Sequence, residues 1–474
     1  MLAVDLGTGG PKVGAVSLDG DLLATSFTPV PTVATDDGGS EQDVALWWDG
    51  IRAGVRSFLH AGVVRGENLH AVGLTSQWAS TVPVDSDGAP VGRCLMWSDL
   101  RGARYATAAV GGPAAGLAPS VLAQSIRYSG VVPLTSGEGG LGHELYLRHD
   151  RPDLYRQTRA LLEPVDYLGA LFTGVVAATR ASQFLTALVD SRPGRPVRYV
   201  PGLVRRYGRD PTLLPPLRAN GSVLGGVEAR AASELGVRPG APVVCGAPDF
   251  FAAFLGSGAT GWYEPHLAIS TTSWMTCAVP YKKADARRLI ASVPSLTGEA
   301  YLTINDQPSA GYCLTWWRDR LGEAARLAGS AAPSYDAMLA AAESAPAGAD
   351  GVVFMPWLRG EHTPVDDPTA RAAFLNLGAR HTTATMTRAV LEGVALNGRW
   401  LVESMEGYTR RRLPSIRMLG GGAQSDLWCQ VYADVLGRPV ERVADPVFAQ
   451  LRGAALLALV GVGDRSLTAA SNSV

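Results

Sequence analysis

Lysine is nearly missing from this chain: Lys12, Lys282 and Lys283 are the only ones in 474 residues. Arginine carries the rest of the positive charge, and 42 basic residues against 43 acidic ones leave a net charge of −1. So even a balance gives no support to nucleic-acid or anionic-membrane binding, and neither is expected as a partner. Cysteine is scarce as well. Cys94, Cys245, Cys277, Cys313 and Cys429 are odd in number, widely spaced and without a CxxC pair. That pattern excludes a zinc-ribbon site and a disulfide framework and leaves buried thiols in a reducing compartment. No run of about 20 apolar residues occurs. No basic stretch leads into an apolar one at the start. The expectation is a cytoplasmic chain.

What is present reads as globular. Apolar residues make up 47% of the chain and charged residues 18%, and the length suits two or three domains. Short β-like runs at 2–4, 13–18, 22–29, 70–76 and 80–84 alternate with turns. A helical pattern over 44–60 places Trp47, Ile51, Val55 and Phe58 on one face. A strand, polar turn, strand grammar restarts at Pro242 and recurs around 267–279. Long helical patterns follow at 312–328, 334–345, 383–406 and 425–436. Mixed strands and helices in both halves predict α/β domains. The recurrence sets the boundary near 240, giving halves of 1–241 and 242–474.

Three polar turns and one carboxylate carry more chemistry than connections need. Asp5-Leu6-Gly7-Thr8-Gly9-Gly10-Pro11-Lys12 sits between two apolar runs. Its glycines let backbone N–H groups converge on an anion, and Thr8 and Lys12 add donors. Asp5, which phosphate would repel, suits a water-mediated Mg²⁺. A plain glycine-rich hairpin is the alternative. The stretch is no P-loop, since neither Ser nor Thr follows Lys12. Ser270-Thr271-Thr272-Ser273 is a second hydroxyl-rich turn, or simply a turn. In the third, a strand at 416–419 meets Gly420-Gly421-Gly422. Ser425 then caps a helix ended by Gly437, so a flat or anionic ligand can approach the backbone. Asp249 opens a helix after Gly246-Ala247-Pro248. It is either an N-cap or a carboxylate placed to accept a hydroxyl proton. Gly256-Ser257-Gly258-Ala259-Thr260-Gly261 matches GxGxxG but follows a helical pattern, so the dinucleotide-binding context is absent.

Taken together, Asp5-x-Gly7-Thr8-x-x-x-Lys12, Asp249, Ser270 to Trp274, Gly360-Glu361-His362-Thr363-Pro364 and Gly420 to Trp428 resemble the FGGY carbohydrate kinases, in order and spacing, over essentially the whole chain. The xylulokinase-like branch is the nearest in pattern. The resemblance implies two actin-like (ribonuclease H-like) α/β domains with an interdomain cleft. It implies ATP mainly on the second domain, a small sugar or polyol mainly on the first, and Mg²⁺. By resemblance, Asp5 helps hold the metal and Gly7, Thr8 and Lys12 face the phosphates, with Thr271, Thr272 and Ser273 cradling them from the other side. Gly311, Gly421, Gly422 and Asp426 then lie near the nucleotide. Gln77, Trp78, Trp97, Asp99 and Arg101 occupy the sugar region, and Asp249 matches the catalytic base.

Four departures bear on the nucleotide and the acceptor, one being that the Arg-Glu of the glycerol-kinase pattern does not follow Gln77. Thr271 stands where the nucleotide turn usually begins with Gly, Gln77-Trp78 replaces the Met-His of the xylulokinase pattern, and Arg180 replaces an acidic residue. Fold resemblance does not fix a substrate. The expected reaction is transfer of the γ-phosphate of ATP to a small sugar or polyol, a ketopentose such as xylulose first. The alternative is a weakly active or inactive regulatory member of the same fold that binds sugar or nucleotide. An actin-like filament ATPase leaves Asp249 and the aromatic residues without a task. The number of subunits stays open, a homodimer included.

Overall fold

The computed structural model describes residues 1–192, 194–296 and 300–466. The chain forms two compact units. The first holds Met1–Gly258 with 294–296 and 450–466; the second holds Ala259–Val293 and Ala300–Ala449.

The first unit is built on one mixed sheet. Its strands are β1 (Leu2–Gly7), β2 (Gly10–Val16), β3 (Leu22–Phe27), β4 (Val72–Ser76), β5 (Val223–Gly226), β6 (Pro242–Val244) and β7 (Ala247–Pro248), in the order β5-β6-β4-β1-β2-β3 with β7 also on β4. An antiparallel meander β1-β2-β3 is joined to parallel β1-β4-β6. The central strands are buried on both faces, hence their near-continuous apolar runs. Helix α1 (Val44–His60) lies where the periodicity places it. Asp43 caps it through the N–H of Ala45, and Trp47, Ile51, Val55 and Phe58 are buried in the core.

The second unit repeats this plan. Its strands are β8 (Pro265–Ile269), β9 (Ser273–Val279), β10 (Ala284–Asp285), β11 (Ile290–Pro294), β12 (Tyr301–Ile304), β13 (Ile416–Leu419) and β14 (Val440–Arg442). They run in the order β10-β11-β12-β9-β8-β13-β14, with β8, β13 and β14 parallel. Its core gathers Leu267, Ile269, Val394, Leu401, Met405, Trp428 and Tyr432, among others, around a 27-residue helix over Thr383–Thr409.

Two expectations about boundaries change. The repeat begins at Pro265, not at Pro242. Strand β6 is the last parallel strand of the first sheet, with Val243 beside Val72, and the helix opened by Asp249 belongs to the first unit too. The last helix, Ala449–Gly461, also returns to the first unit from Gln450 onward. Its packing explains why. A Cβ on Gly73 of β4 would lie 2.1 Å from the Ala454 carbonyl oxygen, and one on Gly453 would lie 1.8 Å from that of Ala252. The five cysteines are free, four of them buried. Among the described residues no helix is long and apolar enough to cross a membrane.

The close approach at Gly73 generates a prediction. Gly73→Ala forces the last helix off the sheet and should destabilise the first unit by about 1–3 kcal/mol. Differential scanning calorimetry should show a lower melting temperature for this variant; an unchanged one would mean that the helix yields freely.

Candidate functional site

Register sets out the polar residues of the first unit. Leu6 of β1 lies beside Ser76 of β4, and Ser76 beside Pro248 of β7, all parallel. The next residues, Gly7, Gln77 and Asp249, therefore emerge together at the carboxyl ends of neighbouring strands, the usual ligand edge of such sheets. Gln77 N–H donates to the Leu6 carbonyl at 2.8 Å, which closes that row. Asp5 and Lys12 are direct partners across the β1–β2 hairpin, and the Lys12 ammonium donates to Asp5 Oδ2 at 3.1 Å. Gly10 is required where it stands: φ is 127°, and a Cβ would lie 2.1 Å from the Thr28 carbonyl oxygen.

The electrostatics of this corner are uneven. Asp5 is 2% exposed. Its charge raises the Lys12 pKa, outweighing the opposite effect of burial. Burial first, and the Asp5 charge second, push the Asp249 carboxyl up to about 7, against the Phe250 N–H and Lys12. Its Oδ1 accepts from that N–H at 2.8 Å. Asp249 keeps a partly accessible rim while its carboxyl lies deep among protein atoms. The usual carboxylate value near 3.9 therefore does not describe it. A base with a pKa close to neutral is better matched to taking a hydroxyl proton.

The residues expected around a sugar separate into two groups. Trp97 is 40% exposed, and its indole N–H donates to Thr8 Oγ1 at 3.1 Å. Thr8 donates in turn to Gln77 Oε1 at 3.0 Å, while among the described residues the Gln77 amide nitrogen has only the Met96 sulfur at 3.7 Å. Trp97, Thr8 and Gln77 thus form a connected polar edge with an aromatic face. Trp78 lies instead in an aromatic cluster with Phe184, Phe250 and Phe251, its indole N–H donating to the Ser182 carbonyl. Asp99 is fully buried. It accepts from the Ser40 N–H and from Arg101, whose remaining donors go to Glu41 and the Tyr146 hydroxyl. The Asp99–Arg101 pair is closed on itself and on its neighbours. Gln42, which the sequence did not single out, holds the turn from behind by donating to the Thr8 carbonyl at 2.7 Å.

In the second unit, the turn after β8 and the turn after β13 face one cavity of about 410 Å³. That is within the range of small-molecule sites. Ser270, Thr271, Gly311, Gly421, Gly422, Gln424 and Ser425 line it, with Leu314, Thr315, Tyr335, Asp336, Leu339 and Trp428. Helix Gly311–Leu327 locks the first turn: the N–H groups of Gly311 and Ala310 donate to the Ser270 and Thr271 carbonyls. A Cβ on Gly311 would lie 2.4 Å from the Ser270 carbonyl oxygen. Thr271 is exposed, Thr272 half-buried, and Ser273 buried behind them. Gly421 and Gly422 differ sharply. A Cβ on Gly421 meets nothing within 4 Å, whereas one on Gly422 would lie 2.4 Å from the Ile269 side chain. Gly421 faces the open cavity and Gly422 serves packing. Asp426 points outward, 89% exposed and paired with Arg442. Tyr335 and Asp336 reach the cavity from a helix remote in sequence, and no motif announces them.

These residues fit the expected ligands. Gly421 leaves its backbone open to the cavity that Thr271 also lines, which is the access a nucleotide would need. Among the described residues no group of three or more His, Cys, Asp or Glu side chains could hold a metal ion. A single carboxylate such as Asp5 suits Mg²⁺, which keeps its waters and takes its other oxygens from phosphate.

The chain is similar to known proteins along its length. Xylulose kinase of Staphylococcus epidermidis is 25% identical over 470 residues, which cover 98% of this chain and 88% of that protein. Autoinducer-2 kinase of Yersinia pseudotuberculosis is 26% identical over 481 residues, covering 98% and 86%. The crystal structure of xylulose kinase from Rhodospirillum rubrum aligns with a TM-score of 0.79 at 25% identity, covering 99% and 91%. Residues 1–256 match the N-terminal domain, and residues 271–462 the C-terminal domain, of one family. With the duplicated sheet and its two polar turns, these matches place the chain in the FGGY family of carbohydrate kinases.

Proposed function

We propose that this kinase transfers the γ-phosphate of ATP to a hydroxyl of a ketopentose such as xylulose, with Asp249 accepting the hydroxyl proton. The observation that carries the reading is the Asp249 carboxyl at the strand ends, raised to about 7 and flanked by Asp5 and Lys12. Phosphoryl transfer asks little covalent chemistry of a protein and much positioning. The proposed roles follow from what each group has left to offer. The Phe250 N–H orients Asp249 toward the attacking oxygen. Lys12 spends one donor on Asp5 and keeps the others for phosphate oxygens. Gln77 turns its amide nitrogen to an acceptor hydroxyl, and Trp97 offers an apolar face to the sugar carbons. Asp5 holds Mg²⁺ through water, and the ion neutralises charge on the phosphates. In the second unit Gly421, Thr271 and Gln424 take the nucleotide. The names of the relatives support a ketopentose acceptor, and the autoinducer-2 kinase widens the substrate panel beyond pentuloses.

Asp249→Asn keeps shape but cannot accept a proton. Turnover with the best acceptor should fall by about 10²–10⁴-fold, while calorimetry should show unchanged ATP affinity. Near-normal turnover would reduce Asp249 to a helix terminus. Asp5→Asn should instead raise the Mg²⁺ concentration needed for half-maximal rate.

The raised pKa fixes the direction of the pH profile. Burial and the Asp5 charge disfavour ionised Asp249, so its basic form accumulates only as pH rises through about 7. The kcat/KM for sugar should climb toward that pH and level off above it. A limb near pH 4 would assign proton transfer to another group.

The two glycines should separate by readout. Gly421→Val intrudes on the nucleotide and should weaken ATP binding by about 10–100-fold with an unchanged melting temperature. Gly422→Val strikes Ile269 and should lower the melting temperature. Equal effects of both variants on both readouts would refute the assignment.

A further inference from the structure

Trp78 follows Gln77 at the ligand edge, yet its ring turns inward, and the groups that hold it lead to Asp249. Its ring stacks on Phe250 at 6.2 Å between centroids with 27° between planes. It meets Phe251 edge-on at 5.5 Å and Phe184 at 6.3 Å. Phe250 is the residue whose N–H the Asp249 carboxylate accepts. On the other side, the indole N–H of Trp78 donates to the Ser182 carbonyl at 2.8 Å. The segment around Ser182 is itself fixed. Ser182 and Thr179 exchange hydrogen bonds through side chains and backbone, and the Gln183 amide donates to Asp166 Oδ2 at 3.3 Å. Asp166 is buried in the first turns of the helix Pro164–Thr173. The backbone just beyond the indole is constrained as well: Ala79 adopts φ 61°.

We infer that Trp78 is a positioning residue: anchored by Ser182, Gln183 and Asp166, it holds Phe250 and through it the orientation of the Asp249 carboxylate, without touching the sugar. This rests on the reading of Asp249 as the proton acceptor. The physical argument is one of reach. A rigid indole, 9% exposed and fixed at its polar atom, leaves the first turn of the Asp249 helix one arrangement against the aromatic cluster. An error of about 1 Å in a reacting group costs up to about 10²-fold in rate. Trp78→Phe keeps an aromatic ring and removes the anchor, so the ring is free to shift and Phe250 with it.

The experiment measures turnover per sugar-binding site, with sites counted by calorimetric titration of xylulose, for Trp78→Phe and Gln183→Ala. Both should lose about 10- to 100-fold in turnover, with the KM for xylulose within about twofold of the parent. In the Asp249→Asn background Trp78→Phe should cause no further loss, because the effect runs through that carboxylate. Asp166→Asn, which keeps an acceptor for Gln183, should retain turnover that Asp166→Leu loses. A raised KM with unchanged turnover would make Trp78 a sugar contact and overturn the inference. So would unchanged turnover in both variants, an additive loss in the Asp249→Asn background, or equal losses in the two Asp166 variants. If Asp249→Asn alone keeps its turnover, it is the reading of Asp249 that fails, whatever Trp78 does.

Discussion

Two carboxylates and one ammonium at the end of a buried sheet set the terms for everything else in the first unit. Asp5 and Asp249 are close enough to act on each other, and Lys12 is the cation between them in effect, bonded to the first and felt by the second. Two like charges in low dielectric do not both ionise freely. Lys12 settles on Asp5, and the cost of burial falls on Asp249. The same sheet therefore holds two carboxylates in different surroundings: Asp5 bonded to Lys12, and Asp249 raised by burial and by the Asp5 charge to about 7.

That arrangement needs strands in register, which in turn need the sheet to be covered closely. Gly73 and Gly453 admit the last helix against the sheet and the Asp249 helix at distances that a methyl group would forbid. The second unit solves a related problem with the same means. Gly311 and Gly422 draw a helix and a turn onto the hairpin at 269–271, and this packing shapes the cavity. Gly421 is different in kind: its missing side chain leaves space that no protein atom fills. Neighbouring glycines in one triplet thus serve packing and ligand access separately.

The polar turns were legible because each concentrates unusual residues in a few positions. Asp5, Thr8 and Lys12 stand out between apolar runs, and Gly420 to Ser425 between a strand and a helix. The helix over 44–60 was legible from its one apolar face. The indole rings were not. Trp78 and Trp97 read alike in sequence, one buried beneath the site and the other exposed at its edge. Asp99 and Arg101, placed in the sugar region by resemblance or else paired with each other, do form an ion pair with each other, to which Glu41 is added. Burial is decided by what packs on top, and nothing within a few residues of either tryptophan carries that information.

By itself the sequence determined the class of fold and the recurrence of strand–turn–strand units, and it singled out the polar turns and Asp249. Those are properties of short stretches, fixed by periodicity, backbone freedom and side-chain chemistry. The tertiary structure decided where the repeats begin, because Pro242–Val244 pairs with a strand some 170 residues earlier and so closes the first sheet. It gave the last helix to the first unit. It raised Asp249 toward neutrality, since a pKa depends on desolvation and on a charge 244 positions away in the chain. It brought Tyr335 and Asp336 to the wall of a cavity and packed Trp78 against Phe250 and Phe251 of the helix that bears Asp249. Each of these outcomes depends on contacts between residues distant in sequence, and only folding brings such residues together.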